Sequence, residues 1–314
     1  MATFSSIPNV LAARYASVDM QRLWSPENKV VLERRLWLAV LAAQKELGVP
    51  VPDAALDAYR AVLERVDLAS IDRRESRTRH DVKARIEEFC ELAGYELIHR
   101  GMTSRDLTEN VEQLQVRRSL EVVRDRAVAA LVRLGRLAAE HEATVMAGRS
   151  HNVAAQATTL GKRFATIADE MLIGVQRIEE LLARYPLRGI KGPMGTSQDM
   201  LDLLDGDAAK LDDLERRVAG HLGFESVLTS VGQVYPRSLT IERWPRMITA
   251  RPLTRSQERV FILCGIAEEP TWPSLNPSVT TSLPAISRIV VARFDGPAVS
   301  WTSAESTSKS RLRG

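Results

Sequence analysis

Apolar positions recur with a helical rather than a strand period through the first 239 residues of this chain. Residues 28–47 set Val30, Val31, Leu36, Leu38, Val40, Leu41 and Leu47 among Glu, Arg and Lys. That spacing predicts a helix with one broad apolar face, ended by Gly48 and Pro50. A second, short helix follows Asp53 through Leu56, Tyr59, Val62 and Leu63. A third runs from Asp81 through Ile86, Phe89 and Leu92 to Gly94. At Thr103-Ser104-Arg105-Asp106 a hydroxyl residue is followed three positions later by a carboxylate, the capping-box signature of a helix start. Leu107, Val111, Leu114, Leu120, Val123, Ala127, Leu131, Leu134 and Leu137 then keep the period. This predicts one helix of about 30 residues, or about 45 Å, a length that implies a bundle or coiled coil. A second long helix is expected over about 155–184, stopped by Pro186, and antiparallel to the first across a short loop. A shorter one covers 207–222. Strand-like alternation is almost absent before residue 240, so the expected fold is all-α, a long-helix bundle.

Near Leu239 the pattern changes. Seven of the 14 prolines and three of the five tryptophans fall in the last 75 residues, Ser and Thr become more frequent, and no helical period persists. The expected organisation is an N-terminal helical domain over 1–104, part of a central bundle over 105–239, and an irregular, unrelated tail over 240–314, disordered at least at its Ser- and Lys-rich end.

Composition narrows the picture only a little. The two cysteines, Cys90 and Cys264, exclude a dense disulfide framework and fit a reducing compartment. No apolar run approaches the roughly 20 residues of a membrane helix, and Met1–Asn9 lacks the pattern of a secretion signal. A cytoplasmic protein with no membrane partner is expected. Ten Lys/Arg against six Asp/Glu after residue 239 leave the first 239 residues at −1 of the whole-chain +3. The basic character therefore belongs to the tail, which argues against nucleic acid as a partner.

The chemistry-bearing residues gather at helix starts. Arg79-His80-Asp81 offers a cation, a titratable ring and a carboxylate in succession, suited to gripping an anion and positioning a proton. Thr103 and Ser104 offer hydroxyls and helix-start N–H groups to an anion. His151, in Gly148-Arg149-Ser150-His151-Asn152, stands where the second long helix is about to begin and is suited to proton transfer near neutral pH. His99, His141 and His221 read as structural. The five histidines form no His/Cys cluster of metal-ligand spacing, so no metal is expected.

Gly101-Met102-Thr103-Ser104-Arg105-Asp106-Leu107-Thr108-Glu109-Asn110 resembles a signature block of the fumarase/aspartase superfamily. Arg79-His80-Asp81-Val82 and Ala155-Gln156-Ala157-Thr158-Thr159-Leu160-Gly161-Lys162-Arg163 narrow the resemblance to the adenylosuccinate lyases. The stretches 5–15, 188–193 and 230–238 are similar to the form found in actinobacterial members. The resemblance covers residues 5–239. It implies cofactor-free elimination of fumarate from succinyl-purine nucleotides, in a homotetramer. It implies that Arg14 and Tyr15 bind the nucleotide end, with Arg14 on phosphate. Arg79, His80 and Asp81 would line the pocket, with His80 counted among the catalytic residues. Thr103 and Ser104 would hold a succinyl carboxylate, His151 would protonate the departing nitrogen, and Gln233 would contact substrate. Where the family has Thr before that histidine, this chain has Ser150.

One element of the resemblance is missing. The family's base is a serine on a loop with a signature close to Gly-Ser-Ser-Ala-Met-Pro-x-Lys-x-Asn, and no such string occurs in the 314 residues. The abrupt change at Leu239 leads us to expect a frameshift or gene-model join there. The alternative to an active lyase is then an inactive fragment that keeps part of the nucleotide site. Another superfamily lyase, such as an argininosuccinate lyase, is disfavoured by Arg79-His80-Asp81-Val82.

Overall fold

A computed structural model describes residues 9–231 of the chain. Their regular elements are helices apart from one two-stranded hairpin, with an isolated bridge between Leu187 and Val227. They fall into two compact units, one of residues 9–127 and 173–231, the other of residues 128–172. Gln233 and the tail from 240 lie outside the described residues.

The first unit opens with α1 (Val10–Tyr15), capped by the Asn9 side chain, and α2 (Val18–Leu23), capped by Ser17. Helix α3 (Pro26–Glu46) starts where Ser25 accepts the Asn28 N–H and Pro26 takes the first turn, the position where its missing donor costs nothing. Leu32, Leu36, Val40 and, one position on, Trp37 and Leu41 form the stripe that fills the main core. Two of its polar positions depart from the expectation of a single apolar face. Glu33 and Arg34 are fully buried. Arg34 pairs with Glu88 and donates to the carbonyls of Val62 and Leu63, both at 2.9 Å, and of Arg65 at 3.2 Å. It thereby satisfies the carbonyls that follow α4 (Asp53–Ala61).

Helix α5 (Leu68–Thr78), capped by Asp67, has no counterpart in the sequence reading. It packs against α6 (Asp81–Ala93), which also packs on α4. Helix α7 (Ser104–Glu140) is longer than expected. In the first unit its side chains tie to the N-terminal turns. Trp24 Nε1 donates to Ser119 Oγ at 3.0 Å, and Gln115 Nε2 donates to the Leu23 carbonyl at 3.1 Å.

The second unit corrects the sequence reading. The segment expected to enter helix near residue 155 is instead strand β2 (Val153–Thr159), antiparallel to β1 (Val145–Ser150). His151 and Asn152 have φ of 48° and 62° between the paired residues Ser150 and Val153. Two consecutive positive φ values in a two-residue loop mark a tight hairpin turn. Helix α8 (Leu160–Ala183) begins only after β2. Gly161 sits against α7, where a Cβ would strike the Ala138 carbonyl and lie 2.8 Å from the Glu142 backbone. Helices α9 (Gln198–Leu203) and α10 (Ala208–Leu222, capped by Asp207) complete the first unit, with α10 packed on α3.

Candidate active site

The structure brings two of the three candidate segments together within the first unit. Helix α5 ends at Arg79, which is exposed with φ 55°. The chain reverses there, and His80 caps α6 by accepting the Lys83 N–H on Nδ1 at 3.2 Å. That bond leaves the neutral ring with its proton on Nε2. Nε2 lies 3.5 Å from Ser104 Oγ at the start of α7. Asp81, on the first turn of α6, is half exposed and reaches Arg85 with Oδ2 at 2.6 Å. Its Oδ1 lies 3.7 Å from His80 Nδ1. Partial burial would push the Asp81 carboxyl up. The Arg85 charge, the Val82 N–H, the Arg85 hydrogen bond and His80 outweigh that and hold it below the usual carboxylate range.

His99, read from sequence as structural, belongs to this neighbourhood. It has φ 66°, and its Nδ1 accepts from Trp37 Nε1 at 3.0 Å, so the neutral ring carries its proton on Nε2. Burial, and then the nearby His80, push it down to about 4. His99 is therefore a neutral donor at physiological pH. Its position two residues before Gly101 was visible in the sequence. Its partner, 62 positions away on α3, was not.

The start of α7 carries the capping box, with one difference. Asp106 accepts the Thr103 N–H on Oδ2 at 2.9 Å, so that helix-start donor is not free for a ligand. Asp106 is fully buried and pairs with Arg188. Its Oδ1 also accepts the N–H of Lys191 at 2.9 Å, and the Gly192 N–H lies 3.2 Å from both oxygens. Arg188 Nε approaches Glu109 at 2.7 Å. Asn110 exchanges bonds with the Gly189 backbone, donating at 2.9 Å and accepting at 3.0 Å. Gly189 has φ 89°, and a Cβ there would lie 2.6 Å from Glu215 and Val227. Asp106, Glu109 and Asn110 thus stitch α7 to residues 188–192. Thr103 and Ser104 are left partly exposed at the tip.

The remaining candidates lie elsewhere. Arg14 and the 69% exposed Tyr15 close α1 at the surface of the first unit. His151 is exposed at the β1–β2 turn in the second unit, not at a helix start as the sequence reading had it. Among the described residues no three His, Cys, Asp or Glu side chains group as metal ligands, and no helix is long and apolar enough to cross a membrane.

A protein-family model described as "Lyase" matches residues 15–223. The chain belongs to this lyase family, within the fumarase/aspartase superfamily. This lyase-family chain is 34% identical to adenylosuccinate lyase of Saccharomyces cerevisiae over 247 residues, 77% of this chain and 51% of that protein. It is 34% identical to adenylosuccinate lyase of Methanocaldococcus jannaschii over 259 residues, 81% and 51% of the two. An N-acetyl-S-(2-succino)cysteine lyase of Dickeya dadantii is 32% identical over 192 residues, 60% of this chain and 42% of that protein. The lyase-family chain thus spans about half the length of the curated relatives it matches. Among solved structures, a fumarate lyase from Mesorhizobium sp. BNC1 aligns with TM-score 0.61 at 21% identity, over 73% of this chain and 53% of that one. A 3-carboxy-cis,cis-muconate lactonizing enzyme from Pseudomonas putida aligns with TM-score 0.65 at 18% identity, over 91% and 65%. Both likenesses concern the fold.

Proposed function

We propose that this chain carries part of an adenylosuccinate lyase-type site, for elimination of fumarate from adenylosuccinate and from the related succinyl-aminoimidazole-carboxamide ribotide of purine biosynthesis. The observation that carries the reading is the approach of His80 to Ser104, which joins two motif blocks of the resemblance at one pair of helix starts. The similarity to adenylosuccinate lyases of distant organisms supports it.

The elimination removes a proton from the carbon beside a succinyl carboxylate. The electron pair left behind forms the new double bond of fumarate as the C–N bond breaks, and the nitrogen departs with a proton. Thr103 and Ser104 would hold the carboxylate, where charge on the carbanion-like state needs fixed donors. His80 would take part in proton transfer, with Arg79 and Asp81 lining the pocket and Arg14 and Tyr15 at the nucleotide end. His151 would supply the proton to nitrogen, and Gln233 would touch substrate. A well-placed acid or base contributes roughly 10²- to 10⁴-fold. No cofactor is required. The proposed domains are residues 1–104, 105–239 and 240–314, and the proposed assembly is a homotetramer in the cytoplasm.

A second reading follows from one observation, the absence of the serine-loop string from the 314 residues. On this reading the isolated chain binds the nucleotide without turning it over. Ultraviolet detection of fumarate release from adenylosuccinate, run beside calorimetric titration of AMP, separates the two. Turnover that His151→Ala abolishes supports the first reading. AMP binding without turnover supports the second. Neither turnover nor AMP binding overturns both.

A further inference from the structure

Behind the exposed His80–Asp81 pair lies a chain of charges that the proposed chemistry does not use. Glu33 on α3 is completely buried. Arg85 on α6, whose side chain is 10% exposed, brings Nε to 2.8 Å from Glu33 Oε2 and Nη2 to 2.6 Å from Asp81 Oδ2. The contact with Asp81 is an aligned hydrogen bond. The contact with Glu33 is close but off the hydrogen-bond line. One planar guanidinium thus holds two carboxyl groups through different nitrogens, a geometry that a point charge such as lysine cannot reproduce. Lys29 and Arg34, on the same helix as Glu33, add weaker attraction to it, and Asp81 adds repulsion.

The consequence lies at Asp81. With Oδ2 committed to Arg85, Oδ1 is the oxygen 3.7 Å from His80 Nδ1. In the neutral ring that Nδ1 accepts from the Lys83 N–H. A ring protonated at Nδ1 loses that acceptor and has the Asp81 carboxylate as its alternative partner. We propose that Arg85, backed by buried Glu33, is a positioning residue for the candidate site, one that fixes the Asp81 carboxylate so that its other oxygen faces the His80 ring. The proposal rests on the functional role given to His80 above. Its test does not use turnover, so failure of the lyase reading leaves it decidable.

The test is carbon-detected NMR of the full chain labelled at aspartate carboxyls, with nitrogen shifts of the histidine rings recorded on the same samples. The variants are Arg85→Gln, Arg85→Lys and Glu33→Gln, with Asp81→Asn used to assign the signal. Loss of a cation at this range is worth about 1 to 2 pH units on a carboxylate. The Asp81 titration should therefore move up by about that much in Arg85→Gln, and by less in Arg85→Lys. Glu33→Gln should leave it in place, because Glu33, raised to about 7, already holds its proton where Asp81 titrates. In Arg85→Gln the His80 ring nitrogen shifts should change, because the Asp81 oxygen 3.7 Å from Nδ1 is no longer held in place, and Arg85→Lys should restore them in part. A merely structural Arg85 would lower stability and move neither signal. Should Arg85→Gln fail to fold, Arg85→Lys still decides. An Asp81 titration and His80 ring shifts unchanged in the Arg85 variants overturn the proposal.

Discussion

Two clusters of charge stand at neighbouring helix starts in the first unit, and the protein treats them in opposite ways. At the start of α7, Asp106 is sealed from water and spends both oxygens on Arg188 and on the N–H groups of Thr103, Lys191 and Gly192. At the start of α6, His80 and Asp81 stay half exposed, with the Lys83 N–H and Ser104 beside the ring and Arg85 on one carboxylate oxygen. A saturated cluster can fix the path of the chain but has nothing left for a ligand. A half-saturated one keeps lone pairs and a titratable ring facing solvent. The difference separates stitching from chemistry better than residue type does, since both clusters contain an arginine and a carboxylate.

The sharpest way to break the comparison is Asp106→Ala. It leaves Arg188 buried without one carboxylate and removes the acceptor of backbone donors. Breaking a buried pair on one side costs about 3–5 kcal/mol. Urea denaturation should show a loss of that order. A loss below about 1 kcal/mol would mean that the network is not buried as described.

Next in size are two pH effects of opposite sign. Desolvation raises Glu33 from 4.5 to about 7, against the pull of Arg85 and Lys29. The native state then holds a proton that the unfolded state releases. This stabilisation is full below pH 4.5 and lost as pH rises through about 7, amounting to about 3 kcal/mol. His99 is lowered from 6.5 to about 4. Its contribution is present above pH 6.5 and lost as pH falls through about 4, worth about 2–3 kcal/mol because the ring keeps some solvent contact. Over the shared window the two offset. Glu33→Gln should therefore leave stability rising with pH, and His99→Gln should leave it falling. Equal slopes in the two variants would refute both assignments.

Trp37→Phe should cost less. It keeps most of the ring packing against Phe89 but removes the donor to His99 Nδ1. A neutral hydrogen bond is worth about 1 kcal/mol. The variant should also release the His99 tautomer, visible in its ring nitrogen shifts. An unchanged tautomer would show that the ring is held by something other than Trp37.

How much of this was legible follows from where each partner lies. The capping box and the starts and ends of α3, α6 and α10 are local, and residue spacing predicts them. The two-sided burial of α3 is not, because the partners of Glu33 and Arg34 are Arg85 and Glu88, more than fifty positions on. The hairpin escaped for a different reason. Alternation marks a strand only when one face is buried, and β1 and β2 are largely exposed on both. Ala155, Gln156 and Ala157 suit a helix as readily as a strand, so residue pattern predicts the next helix five residues early. The same error put His151 at a helix start rather than at a turn.

The smallest expected effect sharpens the comparison most. His80→Gln and Ser104→Ala remove groups whose mutual contact is 3.5 Å and partly exposed. Glutamine can still accept the Lys83 N–H that His80 accepts now. Each variant should change stability by no more than about 0.5 kcal/mol in thermal or urea unfolding. Near-silence in stability, beside a large loss at Asp106, is what a site kept open for a ligand predicts. Should His80→Gln instead cost as much as Asp106→Ala, the α6 start would be a second stitch rather than a working surface, and the functional reading would lose its central histidine.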